Sequence, residues 1–442
     1  MSFFETLLKL QGFPIDEAKQ KIAEVSKLSH EGLVKYQEER KWEMLDFHYK
    51  TNPFYKKKCK NGIPASWDEV PIMKKKELQV PIEAFLNPQY TLKQVYTSKT
   101  SGSTGVPLIF AKDKFAHAIS WAIILQRYGV HGIHAGDKQA RFYGIPLQGI
   151  PYYKERLKDF LGNRLRFIVH DLSDNVLLKF IEKFEKVPFK YLYGYTNSLK
   201  LFAQIIVKNN LVLKDICPTI ECCVVTSEVC TPEDKILLKK AFGVPILNEY
   251  GASELGIIAF PDKNHDWKIS DEEFFVEILD DHGIPVEREQ EGRIVLTSLY
   301  NKAMPFVRYE LGDIASINKT DKGKFLKNLH GRLNDTVRLP SGKIVPGFTL
   351  YYASKALMAN MKGLKEYNIK QTAIDTIEYD IVAEADFDEK LVEMIEKVTY
   401  KYLEPGLKVK VNKVDAIKRT AAGKFKHFQS YIDSPEIVAG KP

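Results

Sequence analysis

The segment from Cys222 to Leu247 constrains the fold of this chain more than any other. Cys222-Cys223-Val224-Val225 reads as a buried strand. Thr231-Pro232-Glu233-Asp234 then reads as a helix start, with Thr at the N-cap, Pro at the first helical position and an acid three residues after the cap. Gly243 closes that helix, and Val244-Pro245-Ile246-Leu247 supplies the next strand. The same alternation of strand-like and helix-like runs extends from about residue 90 to residue 300, which predicts an α/β fold with largely parallel strands. In such sheets ligands gather beyond the carboxyl ends of the strands. Thr226-Ser227-Glu228 and Asn248-Glu249-Tyr250-Gly251 would therefore meet at one rim.

Residues 15 to 50 carry helical spacing of apolar positions that stops near Asn52-Pro53. From Phe274 the pattern changes to short strands with turns at Asp281-His282-Gly283 and Glu291-Gly292, the pattern of a small β subdomain. Another unit of roughly 100 residues follows Gly331-Arg332-Leu333-Asn334-Asp335, with helical stretches near 350 to 361 and 387 to 402. The expected division is 1–333 and 334–442, a large layered N-terminal domain and a small, mobile α+β domain at the C-terminus. A chain of 442 residues is too long for one core, in keeping with that division.

Sixty-five basic against 57 acidic residues give a net charge of +8, spread along surface-like segments. That spread implies mild attraction for anionic ligands and lacks the basic stripe of a nucleic-acid binder. Met1 to Phe13 has no basic lead or small-residue cleavage site, and no apolar run approaches the ~20 residues of a membrane span, so a cytoplasmic protein is expected. Cys217, Cys222, Cys223 and Cys230 cluster, yet neighbours on a strand point to opposite faces and no paired Cys or His accompanies them. Core packing is the better reading. His131 and His134 likewise lack a ligand motif and read as structural.

Four segments carry chemistry. Thr100-Ser101-Gly102-Ser103-Thr104-Gly105-Val106-Pro107 makes a concavity of amides and hydroxyls suited to a polyphosphate. It leads into the strand-like Leu108-Ile109-Phe110, whereas a Walker loop would open a helix with Lys-Ser/Thr; the helix follows Asp113, a plausible N-cap. Tyr250-Gly251-Ala252-Ser253-Glu254 offers a ring for a base, close backbone approach, a hydroxyl for a phosphate and a carboxylate for a hard cation. Gly251-Ala252-Ser253-Glu254-Leu255 lacks the final Gly of a nucleophile elbow, which argues against a serine hydrolase. Met304 to Asp313 ends in an acid that can accept from ribose hydroxyls. Lys418-Arg419-Thr420-Ala421-Ala422-Gly423-Lys424 sets a lysine after a flexible turn. Phe142-Tyr143-Gly144 and Tyr193-Gly194-Tyr195 are aromatic enough to line an acyl pocket.

In this order the segments resemble the adenylate-forming superfamily of acyl- and aryl-CoA synthetases, adenylation domains and luciferases. Asn52-Pro53-Phe54-Tyr55-Lys56, Pro71-Ile72-Met73-Lys74-Lys75, Tyr193 to Ser198 and Arg308-Tyr309 before Gly312-Asp313 resemble its phenylacetate:CoA ligase and capsule-biosynthesis branch. The resemblance spans roughly residues 50 to 430. It implies an AMP-binding domain followed by a lid domain, acting on ATP, Mg2+, a small carboxylic acid and CoA. Thr100 and Ser101 to Gly105 would close over the β- and γ-phosphates, with Thr104 and Glu254 near Mg2+. Ser227 and Glu228 would border adenine and ribose, Tyr250 would stack on the base, and Ser253 would meet the α-phosphate, with Asn248, Glu249, Gly251 and Ala252 completing the site. Asp313 and Arg332 would hold the ribose, Asp335 would be the hinge, and Lys424 would bridge the substrate carboxylate and the α-phosphate.

Three departures accompany the resemblance. Leu108 stands where the family commonly has Lys after the loop, Asn334 replaces an Asp beside the hinge, and Phe260 to Lys268 offers only His265 where some members hold a structural zinc, so no zinc is expected. Rival readings are an enzyme with another acceptor, such as an acyl carrier protein, an amine or a deazaflavin coenzyme, and a nucleotide-binding regulator without catalysis. The acid, the acceptor and the choice between monomer and homodimer stay open.

Overall fold

The computed structural model describes residues 3–100, 107–145, 148–287, 289–320, 323–332, 336–346, 350, 364–383, 389–419, 423 and 425–432. The chain divides into two units, Met1–Leu329 and His330–Pro442.

A sheet with twelve strands among the described residues organises the first unit. One half is parallel, in the order Arg164–Ile168, Gln139–Tyr143, Tyr191–Tyr195, Cys222–Thr226, Ile246–Ala252. The crossover helix Pro232–Phe242 begins as its sequence dictates. The Asp234 amide donates to Thr231 Oγ1 (3.2 Å), the Thr231 amide donates to Asp234 Oδ2 (3.1 Å), and Gly243 takes the left-handed conformation at φ 69° that ends the helix. Helices cover both faces of this half, so Cys222–Thr226 is buried along its whole length. Cys223 and Val225 pack with Phe202, Leu238 and Phe242 on one side, while Cys222 and Val224 pack with Tyr128 and Phe260 on the other. Burial pushes the Cys222 thiol up to about 12. These cysteines are core residues.

The other half turns antiparallel at the hairpin Ile246–Ala252/Gly256–Pro261 and continues through Trp267–Ile269, Gly323–Arg332, Tyr309–Thr320, Gly292–Ser298 and Phe274–Leu279. The short strands after Phe274 thus extend the main sheet. Asp113 caps the helix Lys114–Gly129 through the Ala116 amide (2.9 Å). Just before it, Tyr96–Lys99 and Ile109–Lys112 form an antiparallel pair. Thr100 closes the neck of the intervening loop, its amide donating to Leu108 O (2.9 Å) and its Oγ1 accepting from the Leu108 amide (3.0 Å).

The second unit is built on a four-stranded sheet in the order Lys408–Lys413, Thr376–Ala383, Leu364–Ala373, Phe428–Ser430. The helix Glu389–Tyr402 packs on it, with Ile369, Ile377, Tyr379, Ile395 and Phe428 in the core. The helix expected at 350–361 lies almost wholly outside the described residues. Among the described residues no helix is long and apolar enough to cross a membrane.

Candidate active site

The Ile246–Ala252 strand delivers Tyr250 and then folds back on Gly256–Pro261, so that Ser253 and Glu254 occupy the turn. Gly251 is required by this approach: a Cβ there would lie 2.4 Å from Gly256 O. Tyr250 Oη donates to Asp313 Oδ2 at 2.7 Å across 63 positions of sequence. The adenine and ribose candidates therefore sit side by side. Tyr250 is 8% exposed and Asp313 is only partly covered.

Glu254 is buried, its side chain 4% exposed. Tyr309 Oη donates to its Oε1 at 2.9 Å, and Lys75 Nζ stands 3.3 Å from the same oxygen. Lys75 reaches this place because Met73–Lys74 pairs in parallel with Tyr309 and Glu310. Arg308 secures that pairing. Its fully buried guanidinium is 3.1 Å from Glu277 and donates to the carbonyls of Asp68 and Val70 at 2.8 Å each, tying the approach to Lys75 onto the sheet. Lys112 braces the turn from behind: its buried Nζ donates to Leu255 O and to Ser120 Oγ (2.7 Å), and Ser120 in turn donates to Glu273 Oε1 (2.6 Å). Burial raises the Glu273 carboxyl above the ordinary carboxylate range. Sequence reading missed Lys75 and Lys112 as site residues; the only signal for Lys75 was its run Pro71 to Lys75.

On the opposite face of the Ile246–Ala252 strand from Tyr250, Glu249 accepts from Tyr193 Oη (3.0 Å) and Thr226 Oγ1 (3.0 Å) on Oε1 and from Tyr128 Oη (2.6 Å) on Oε2. Burial raises its carboxyl above the ordinary range while the three donors pull it back. Arg141 lies over the rings of Tyr143 (4.3 Å) and Tyr193 (4.9 Å), and Tyr143 contacts Tyr195 at 4.1 Å between centroids. Phe142 corrects the expectation for its segment. It points to the other side of its strand, wholly buried against Phe167 (4.8 Å), Phe180 and Phe202, and belongs to the core. Gly194 has a packing role there too, since a Cβ would meet Phe142 Cβ at 2.5 Å. Gly144 follows the strand and accepts from Arg166 Nη1 through its carbonyl (2.7 Å).

The structure also brings Thr226 opposite Glu249, as strand register requires. Ser227, next in the chain, is exposed and holds φ 69°, a left-handed backbone that costs a serine on the order of 1 kcal/mol and that clusters at functional rims. The Glu228 carboxylate accepts from the Asn197 amide (2.8 Å), where it complements the start of the helix Thr196–Lys208. Asn248 is buried, with its carbonyl accepting from Trp267 Nε1. Ser253 is exposed in the hairpin turn, and Arg332 ends the strand Gly323–Arg332. Ser101 to Gly105, Asp335 and Lys424 lie outside the described residues.

A sheet that is half parallel and half antiparallel, a carboxylate on the hairpin between the halves and a Tyr–Asp pair beside it are set in the fold of the adenylate-forming CoA ligases, and the chain is similar in sequence to CapK and to a phenylacetate–CoA ligase. No family model matches it. Protein CapK of Staphylococcus aureus is 23% identical over 386 residues, covering 83% of this chain and 82% of that protein. Phenylacetate-coenzyme A ligase of Thermus thermophilus is 24% identical over 309 residues, 66% of this chain and 67% of that one. The solved structure of 2-hydroxyisobutyryl-CoA ligase in its postadenylation state, in complex with 2-HIB-AMP, has a TM-score of 0.63 at 16% identity over 90% of this chain and 89% of that chain.

Proposed function

We propose that the protein activates a small carboxylic acid with MgATP, releasing pyrophosphate, and passes the acyl group from the resulting acyl adenylate to the thiol of CoA. The observation that carries the reading is the 2.7 Å contact between Tyr250 and Asp313 beside the hairpin that bears Glu254. One nucleotide can span these groups. Tyr250 then stacks on the adenine, Asp313 accepts from the ribose hydroxyls and Ser253 donates to the α-phosphate. Glu254, an anionic oxygen donor, suits the cation that accompanies the triphosphate, which neutralises phosphate charge when bound. Lys75, 3.3 Å away, offsets the charge of the Glu254 carboxylate.

A carboxylate is ionised at neutral pH, so the first step needs no general base. The protein's task is to align two anions and offset their repulsion, a purpose served by the amides of residues 101 to 105 and by Lys424. The acid's oxygen attacks the α-phosphorus and pyrophosphate leaves; the CoA sulfur then attacks the acyl carbon and AMP leaves. Residues 334–442 form the lid that carries Lys424, with Asp335 as hinge. The named activities of the Thermus ligase and of 2-hydroxyisobutyryl-CoA ligase support this reading. A compartment that holds ATP and CoA, the cytoplasm, is the place for it.

The test is ATP–pyrophosphate exchange across a panel of carboxylic acids, followed by mass detection of the acyl-CoA. Lys424→Ala should cut exchange by about a hundredfold or more while ATP binding changes little. Exchange at the wild-type rate in that variant contradicts the role, and acid-dependent exchange without a thioester moves the acceptor away from CoA.

A further inference from the structure

Resting on the ligase reading above, we infer that the acid this protein activates bears a neutral hydroxyl group on its tail. The argument starts from the face of the parallel sheet that Tyr250 does not serve. Along that face Arg141, Tyr143, Tyr193, Thr226 and Glu249 come together at the carboxyl ends of three strands and the start of the hairpin. Arg141, Tyr143, Tyr193 and Glu249 are only partly buried, so a ligand can reach them. The nucleotide is held on the other side of Glu249, which leaves this cluster to the acyl tail.

The hydrogen-bond directions decide what that tail must offer. Tyr128, Tyr193 and Thr226 all spend their hydroxyl hydrogens on Glu249. Of the three, Tyr193 is partly exposed and presents lone pairs outward, and Glu249 adds more, so the surface asks for a donor. Arg141 limits the charge of that donor: its Nη1 donates to Gln139 Oε1 (3.1 Å) and its guanidinium lies over the rings of Tyr143 and Tyr193. A neutral hydroxyl gives a hydrogen without adding charge. The charges of Glu249 and Arg141 already balance, so an ammonium would meet the guanidinium at a cost. A plain hydrocarbon tail would leave these polar groups dry and unpaired, the situation that sites built for a hydroxyl reject most strongly. Tyr143 and Tyr195, in ring contact at 4.1 Å, add an apolar wall for the carbon skeleton.

The experiment measures acid-dependent pyrophosphate release with matched sets: phenylacetate against its 2-, 3- and 4-hydroxy derivatives, and butanoate against 4-hydroxybutanoate and 4-aminobutanoate. A hydroxyl-bearing member should exceed its parent in kcat/KM by at least tenfold. Glu249→Gln should retain part of that preference, and Glu249→Leu should abolish it, chiefly through KM for the acid and not through KM for MgATP. Parents equal to or better than their hydroxy derivatives, or the aminobutanoate as best substrate, overturn the inference and leave the ligase reading intact. No release with any acid contradicts the ligase reading, and the inference falls with it.

Discussion

The two flanks of the candidate site are wired differently. On the nucleotide flank, Glu254 is held by Tyr309 and Lys75, and Arg308 with Glu277 fixes the segment that brings Lys75 in; every partner comes from a distant part of the chain. On the acid flank, Arg141, Tyr143, Tyr193 and Glu249 are simply the outward members of adjacent strands, two residues apart where they share a strand. Buried ion pairs over-determine the first. The second leaves Arg141 Nε without a hydrogen-bond partner among the described residues and its Tyr143 and Tyr193 rings partly open. The geometry of the proposed nucleotide flank is thus part of folding, whereas that of the proposed acid flank can vary by single side chains without disturbing the sheet.

The largest expected effect follows from that difference. Arg308→Ala leaves Glu277 charged and buried without its partner and should destabilise the protein by about 3–5 kcal/mol in denaturant unfolding. A loss below about 1 kcal/mol would place the nucleotide flank on the same loose footing as the acid flank. His48 offers a reference outside both flanks. It is fully buried with Nε2 3.0 Å from Asn301 O, and burial lowers it from 6.5 to about 4. The folded protein therefore binds fewer protons than the unfolded chain between these values, and stability on the order of 3 kcal/mol is present above pH 6.5 and drains away as pH falls towards 4. His48→Gln should flatten that limb; an unchanged slope assigns it to other groups.

Smaller, and confined to one flank, is Asp313→Ala. Losing a charged acceptor for the ribose should weaken MgATP binding by about 1.5–3 kcal/mol, tenfold to a hundredfold by calorimetry, while KM for the acid stays put. Movement of the acid KM instead would mean that the two flanks have been assigned to the wrong substrates.

Local signals carried much of the fold. The caps at Asp113 and Thr231, the terminating Gly243 and the buried run Cys222 to Val225 each rest on neighbours within a few residues, and each is where the sequence placed it. The rule that ligand-facing segments gather at the carboxyl ends of parallel strands also put Thr226 and Glu249 at one rim. The meeting of Tyr250 with Asp313 was legible only through the order of motifs, since no local rule links residues 63 apart. Lys75 escaped because lysine-rich surface segments are ordinary, and only a parallel pairing with Tyr309 and Glu310 gives this one a buried partner. Phe142 was misplaced by treating Phe-Tyr-Gly as one surface, although period-two alternation sends Phe142 and Tyr143 to opposite faces. Glu228 reads as a polar rim residue until the helix it caps is seen.

The most direct test of the account is acid-dependent pyrophosphate release by Glu254→Gln, measured against the native protein over a range of Mg2+ concentrations. Loss of the carboxylate charge beside the triphosphate should reduce release by about a hundredfold and raise the Mg2+ requirement, with the fold intact. Release at the native rate with an unchanged Mg2+ requirement would contradict the claim that this hairpin grips MgATP.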